Sequence, residues 1–231
     1  MQSIETYSKN LKNIEFRNEK KIVFLQSENY MIKLFKFLKF NEIYQERQIN
    51  SIYFETFNFR DLLDTIDGEK NRSKLRLRWY GKTFTSKAKP IIENKIKINS
   101  KNFKIKNNLS SINFSNQISY KKIKQLFKNS QNIDHNIKIK YRIRNPNILI
   151  SYTRRYFSFK NIRITLDFNL FTKNFYKKKI INHNDIFIKK KFSVMEIKYK
   201  DEDFDNVQKI TSAITNRVSK FSKYEYCLTG L

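Results

Sequence analysis

SKLRLRWYG, residues 73–81, is the stretch whose reading decides the fold. As a β-strand, with successive side chains on opposite faces, it sets Lys74, Arg76 and Arg78 on one side and Leu75, Leu77 and Trp79 on the other. One face is cationic and the other apolar. Taken alone, the cationic face suits solvent as well as an interior, so the choice between them rests on the rest of the chain.

The same pattern recurs on both sides of it. Upstream, NIEFRNEKKIVFL (13–25) places Glu19 and Lys21 on one strand face, and INSIYFETFNF (49–59) has the β-branched and aromatic content of a second strand before the turn-like DTIDGEKNR around Gly68. Downstream, IIENKIKI alternates Glu93, Lys95 and Lys97 with apolar residues, and FKIK, containing Lys104, continues it after a short break at 99–102. NILISYTRRYFSF (147–159) puts Tyr152 and Arg154 together. NIRITLDFNLF (161–171) aligns Arg163, Thr165 and Asp167 against Ile162, Ile164, Leu166 and Phe168, and FSVMEIKYK (192–200) aligns Val194, Glu196 and Lys198.

Helices are predicted between these strands. Ser27 is an N-cap for SENYMIKLFKFLKF, whose Met31, Leu34, Phe35 and Leu38 form a core stripe. Residues 107–136, rich in Asn, Ser and Lys, contain the helical ISYKKIKQLFKN and are expected as a helical insertion between two halves of one sheet, with a domain linker as the alternative. Residues 174–191 form a basic excursion whose lysines fit a solvated loop. The acidic DEDFD suits a helix N-terminus, and Val207, Ile210, Ile214 and Val218 continue at helical spacing.

Composition narrows the chemistry. The 231 residues carry 48 Lys and Arg against 21 Asp and Glu, a formal charge of +27, so the expected partner is an anion: nucleic acid, an acidic membrane surface or a phosphate-rich substrate. With 39% hydrophobic and 15% aromatic residues, the chain has the means to bury a core. Cys227 has no intramolecular disulfide partner, and with only His135 and His183 beside it no Cys/His zinc site assembles. Three dispersed glycines exclude a Walker loop and a dinucleotide fingerprint, so any phosphate must be held by side chains. No secretory layout and no apolar run of membrane-spanning length is present, which gives the expectation of a soluble, intracellular and cytoplasmic protein, with peripheral membrane contact left open.

Trp79, Leu75 and Leu77 need cover, and helices outside the sheet supply it. The ionic faces then point inward. Two cations about 6 Å apart repel by roughly 3 kcal/mol at an effective dielectric of about 20, so such an interior is stable chiefly when water, chloride or a polyanion fills it. The expected fold is therefore α+β: a closed antiparallel β-barrel with a polar lumen, flanked by helices, in one domain over residues 1–231.

These strands, in this order, resemble the VTC-type polyphosphate polymerase domain of the triphosphate tunnel metalloenzyme (CYTH-like) superfamily. RNEKK is similar to its first Glu-any-Lys strand (Glu19, Lys21); SIYFET resembles its Tyr-Phe-Asp-Thr strand, with Glu55 in place of Asp; KLRLRWYG resembles its paired-arginine strand (Arg76, Arg78). ENKIK and FKIK match its next basic positions (Glu93, Lys95, Lys104), SYTRRYFS and RITLDFNL its later arginine strands (Arg154, Arg163), MEIKY a further Glu-any-Lys strand (Glu196, Lys198), and FSKYEYCLTGL its terminal Ser-Lys-Tyr segment with Lys223.

The resemblance implies a tunnel that binds ATP and a growing polyphosphate end and transfers the terminal phosphoryl group. On that reading Lys21, Arg76, Arg78, Lys95, Arg154, Arg163 and Lys223 are catalytic, while Lys74, Lys104, Tyr152 and Lys198 bind substrate. Glu196, with Glu19 and Glu93, would hold Mn2+ or Mg2+. Hydrolysis of triphosphate or short polyphosphate in the same tunnel is the sibling alternative. A nucleic-acid-binding protein is the rival from another class, motivated by the charge and by bases beside aromatics at Arg78, Trp79 and Tyr80. That rival does not account for glutamates on the same faces as the lysines.

Overall fold

The structure, a computed structural model, describes residues 18–99, 101–130, 132–175 and 178–230. The first five residues of the expected opening strand lie outside the described residues. In chain order the strands are β1 (Asn18–Phe24), β2 (Asn41–Glu55), β3 (Asn71–Tyr80), β4 (Ile91–Ile98), β5 (Lys101–Asn108), β6 (Gln117–Ser119), β7 (Asn145–Phe159), β8 (Ile162–Asn174), β9 (Ile180–Asn182), β10 (Ile188–Lys190) and β11 (Ser193–Tyr199). The helices are α1 (Glu28–Phe37), α2 (Arg60–Ile66), α3 (Tyr120–Asn129), α4 (His135–Arg142), α5 (Phe204–Ser212) and α6 (Lys223–Thr229).

Eight strands pair in the order β1-β11-β8-β7-β2-β3-β4-β5, with β10 added to β8. Every ladder is antiparallel. The expected closed barrel is corrected here: β1 and β5 end the order, and no ladder joins them among the described residues. The sheet curls without a closing seam of hydrogen bonds. Its curvature is visible in α6 and the segment before it, which touch the same face from both halves of the sheet: Lys21 Nζ donates to the Phe221 carbonyl at 3.1 Å, Lys74 Nζ to Ser222 Oγ at 2.9 Å, and Lys223 pairs with Asp167.

Burial follows the two-residue period. Outward side chains form two apolar clusters. One joins Leu75, Leu77, Trp79, Ile52 and Phe54 to Ile123, Leu126 and Phe127 of α3 and Ile137 of α4; the other joins Ile22, Phe24, Ile164, Leu166 and Ile197 to Met31 and Phe35 of α1 and Val207 and Ile210 of α5. Burying such side chains contributes about 1.5–3 kcal/mol each, which makes helix cover of the sheet's outer face the main stabilising term. Ser27 caps α1 by accepting from Tyr30 N, as its position predicts. A third cluster lies inside the curl, where Ile49, Ile148, Ile150, Tyr152 and Val194 pack on Leu62 and Tyr224.

Residues 107–136 hold β6, α3 and the start of α4, a helix-bearing segment between strands of one sheet, and their apolar residues are part of the outer core. Two local expectations change. The basic stretch 174–191 contains β9 and β10, anchored by buried Phe175 and Ile181, while Lys178, Lys179, Lys189 and Lys191 are exposed. The C-terminal apolar period breaks: α5 stops at Ser212, and Val218 forms a bridge with Ile22. The pairing of Ser219 N with the Lys21 carbonyl outcompetes another helical turn.

Candidate functional site

The inner face of the curled sheet is a continuous ionic field, and register explains its continuity. Lys21 lies opposite Glu196 and Glu19 opposite Lys198; Lys198 in turn lies opposite Arg163, and Val194 opposite Asp167. Across the next ladder Asp167 faces Arg154. On the other half Ser51 faces Arg78, Tyr53 faces Arg76, Arg76 faces Glu93 and Lys74 faces Lys95, which faces Lys104. Alternate residues on paired strands keep to one side of the sheet, so local pairing alone brings together groups that lie far apart in sequence.

Three anionic centres organise the cations. The first is Glu93, buried, with Arg76 Nε at 2.6 Å, Lys104 Nζ at 2.8 Å and Arg78 Nη1 at 3.6 Å. Burial opposes its ionisation, but Arg76, Arg78 and Lys104 bring its pKa down to about 2. The second is Asp167, in which Arg154 makes a two-pronged contact at 2.5 and 2.7 Å and Lys223 Nζ lies 2.5 Å from Oδ2. Burial again disfavours charge, but Arg154 and Lys223 outweigh it and lower the Asp167 pKa, while burial of Lys223 is outweighed chiefly by the Asp167 carboxylate, which raises the Lys223 pKa.

The third centre is the Glu19 and Glu196 pair. Lys21 bonds Glu19 at 2.9 Å, Lys198 bonds Glu196 at 2.8 Å and approaches Glu19 at 3.8 Å. Burial and Glu196 push the Glu19 carboxyl up, but Lys21 and Lys95 prevail and its pKa falls. Burial opposes charge on Glu196 too, yet Lys198, Arg154 and Lys21 hold it well below the usual range. Lys95, on β4, thus acts electrostatically on carboxylates of β1 and β11 across the curl.

Lys74 and Lys104 are the labile cations. Burial, with Lys95 close by, pushes the Lys74 ammonium down to about 7, and burial with Arg76 beside it pushes Lys104 to about 8. Tyr152 is buried beneath two charges, with Arg154 5.5 Å and Lys223 5.1 Å from its ring centre. Arg163 is exposed at the rim, its guanidinium 6.0 Å from the Tyr156 ring.

Sequence reasoning missed four contributors. Asp167 was visible on the face of Arg163 but received no role; it is the anchor for Arg154 and Lys223. Tyr53 accepts from Arg76 Nη1 at 3.2 Å, and Ser222 caps α6 while accepting from Lys74. Glu55, noted only as a departure from the resembling strand, is buried at the start of α2. Alternation in SIYFET and RITLDF carried the signal for Tyr53 and Asp167; nothing in the sequence marked the contacts of Ser222 and Glu55.

Cations on this face exceed the carboxylates by more than two to one, and several donors are unspent. Arg78 Nε, Ser51 Oγ and Thr165 Oγ1 are buried without a hydrogen-bond partner among the described residues. Buried polar groups of this kind are costly unless matched. Among the described residues no three carboxylate, imidazole or thiol groups are gathered as a metal site. Glu19 and Glu196 supply a pair of carboxylates, while Glu93 is engaged by its own three cations.

A curled antiparallel sheet with a cationic inner face and helices on its outer face defines an α+β protein. The chain belongs to the VTC domain family, whose sequence profile matches residues 10–230. Among solved structures it is similar to the PH1819 protein of Pyrococcus horikoshii OT3, with 13% identity and a TM-score of 0.51 over 93% of this chain and 100% of that one. It is also similar to a putative adenylate cyclase from Bacillus halodurans, with 15% identity and a TM-score of 0.52 over 90% and 96% of the two chains. A putative adenylyl cyclase from Hippeastrum, described as having a dominant triphosphatase activity, aligns at 14% identity and a TM-score of 0.50 over 92% and 96%. At these identities the likeness is one of fold. Among curated proteins none matches significantly. No helix among the described residues is long and apolar enough to cross a membrane.

Proposed function

We propose that this chain is a metal-dependent polyphosphate polymerase that moves the terminal phosphoryl group of ATP onto a growing polyphosphate end held on the inner face of the sheet. The observation that carries this reading is the combination of unspent buried donors with a surplus of cations around three carboxylate centres, on a chain of the VTC domain family. A terminal phosphate oxygen attacks the γ-phosphorus, the bond from that phosphorus to the β,γ-bridging oxygen breaks, and ADP leaves. Such a transfer needs alignment and neutralisation of equatorial charge more than covalent help from the protein.

In this mechanism Arg76, Arg78, Arg154 and exposed Arg163 grip phosphate oxygens through their forked donors, while Lys21, Lys95 and Lys223 act as point charges. Lys74, Lys104 and Lys198 bind flanking phosphates, and Tyr152 supports Arg154 and Lys223 from below. The donor set fits a hard ion such as Mg2+ or Mn2+, which the carboxylates of Glu196 and Glu19 would hold. When bound, such an ion supplies charge neutralisation on the phosphates. Glu93 supports the site by fixing Arg76 and Lys104.

Hydrolysis differs only in the attacking group, water in place of phosphate. Incubation of the purified protein with ATP and Mn2+ separates the two: long polyphosphate and ADP support the polymerase, and free phosphate without polymer supports the hydrolase. If neither forms, and Lys223→Ala leaves tripolyphosphate affinity unchanged, the catalytic reading is lost. Salt-steep RNA or DNA binding with no metal requirement would favour the nucleic-acid alternative.

A further inference from the structure

We infer that Glu55 is a positioning residue, acting through Tyr224 to hold Lys223 in the phosphate site; the inference rests on the reading that Lys223 faces phosphate. Glu55 ends β2 and is 2% exposed, and among the described residues its carboxylate bonds to backbone amides and hydroxyls instead of a cation of the inner face. Its Oε1 accepts from Thr56 N at 2.8 Å and from Asp61 N at 3.0 Å; its Oε2 accepts from Leu62 N at 3.1 Å and from the hydroxyl of Tyr224. One carboxylate therefore joins the start of α2 to the first turn of α6.

The joint is directional. Tyr224 is buried and stacks on Tyr53, ring centres 4.9 Å apart, but a stack alone lets the ring slide in its plane. The hydroxyl bond to Glu55 fixes that coordinate. Lys223 is the preceding residue, and its ammonium meets Asp167 on the far half of the sheet. With Lys74 holding Ser222, the first turn of α6 is pinned on both sides of Lys223. Glu55 is itself held rigid by the α2 amides, and α2 is fastened by the Asp61–Arg144 pair, whose two contacts are both 2.7 Å. The carboxylate thus transmits the position of β2 and α2 to a lysine that it does not touch.

Removing Glu55 outright would also uncap α2, so the deciding variant is Tyr224→Phe, which keeps the stack and the cap and deletes only the link. Acetic anhydride trace labelling read by mass spectrometry reports on Lys223 without any ligand. We expect Lys223 to label slowly in the parent protein and roughly tenfold faster in Tyr224→Phe, the scale of losing one hydrogen bond to a charged group, with labelling of Lys104 and Lys198 unchanged. Equal labelling of Lys223 in both proteins overturns the proposal. In a second arm, tripolyphosphate affinity falls in Tyr224→Phe and in Lys223→Ala, and the double variant is no weaker than Lys223→Ala alone; additive losses overturn it as well. A parent protein that fails to bind tripolyphosphate sinks the proposed function, while the labelling arm still decides the role of Glu55.

Discussion

Lys223 crosses the inside of the curled sheet to meet Asp167, its ammonium 2.5 Å from a carboxylate oxygen that Arg154 also holds. The aspartate is 1% exposed, so its charge depends on those two partners. Asp167→Asn leaves two cations facing each other without a counter-charge. Loss of one member of a buried pair costs about 3–5 kcal/mol, and a urea denaturation midpoint lowered to match is the expected result. An unchanged midpoint would show that the pair is not structurally coupled.

Acid should undo the Glu93 centre in a defined window. Its pKa is 4.5 as a free side chain and about 2 in the fold, so the unfolded chain takes up the proton first. Its stabilising contribution is full above about pH 4.5 and disappears as pH falls towards 2, on the order of 3 kcal/mol in all. Glu93→Gln should flatten the stability slope across that window, as read by denaturation at successive pH values.

Binding of a polyanion should draw protons onto Lys74 and Lys104. Their folded pKa values, about 7 and about 8, leave them partly neutral in mildly alkaline solution, and phosphate beside them favours the charged form. Calorimetry of tripolyphosphate binding at about pH 8 in buffers of different ionisation enthalpy should show net proton uptake, fading below about pH 6 where both are already charged. Lys74→Met should reduce the uptake, and Lys74→Met with Lys104→Met should remove most of it.

The two glutamates near Lys21 and Lys198 should give opposite signs with and without metal. In the presence of EDTA, Glu196→Gln removes a negative charge from a phosphate-binding face, so tripolyphosphate binds more tightly than to the parent protein. With Mn2+ added, the parent gains affinity and turnover and the variant gains little. Equal metal responses in both proteins would exclude Glu196 as a ligand.

Strand faces were legible in sequence because period-two alternation is a local property: the segments holding Arg76, Lys95, Arg163 and Glu196 all form strands with the expected face inward. Sheet closure was not legible, because the same alternation serves an open or a closed edge, and only curvature decides whether β1 meets β5. Val218 misled for a related reason. Its spacing from Ile214 is helical, but the backbone at 218–219 bonds to β1, a partner nearly two hundred positions away that no local window contains. The basic 174–191 stretch hid its anchor in the same way: Ile181 is buried by pairing with β6, while the lysines around it advertise solvent.

The pairing of β1 with β11 also governs how the molecule is made. β1 lies at one end of the strand order and its ladder partner is β11, about 170 residues further along the chain. At roughly 5–20 residues per second of synthesis, Asn18–Phe24 waits on the order of 10–30 s for its partner to emerge from the ribosome. Until then Glu19 and Lys21 have no opposite strand, and the ionic face reaches only from β8 to β5. The nascent chain therefore carries, through most of its synthesis, an unpaired, lysine-bearing edge whose charge discourages premature strand pairing.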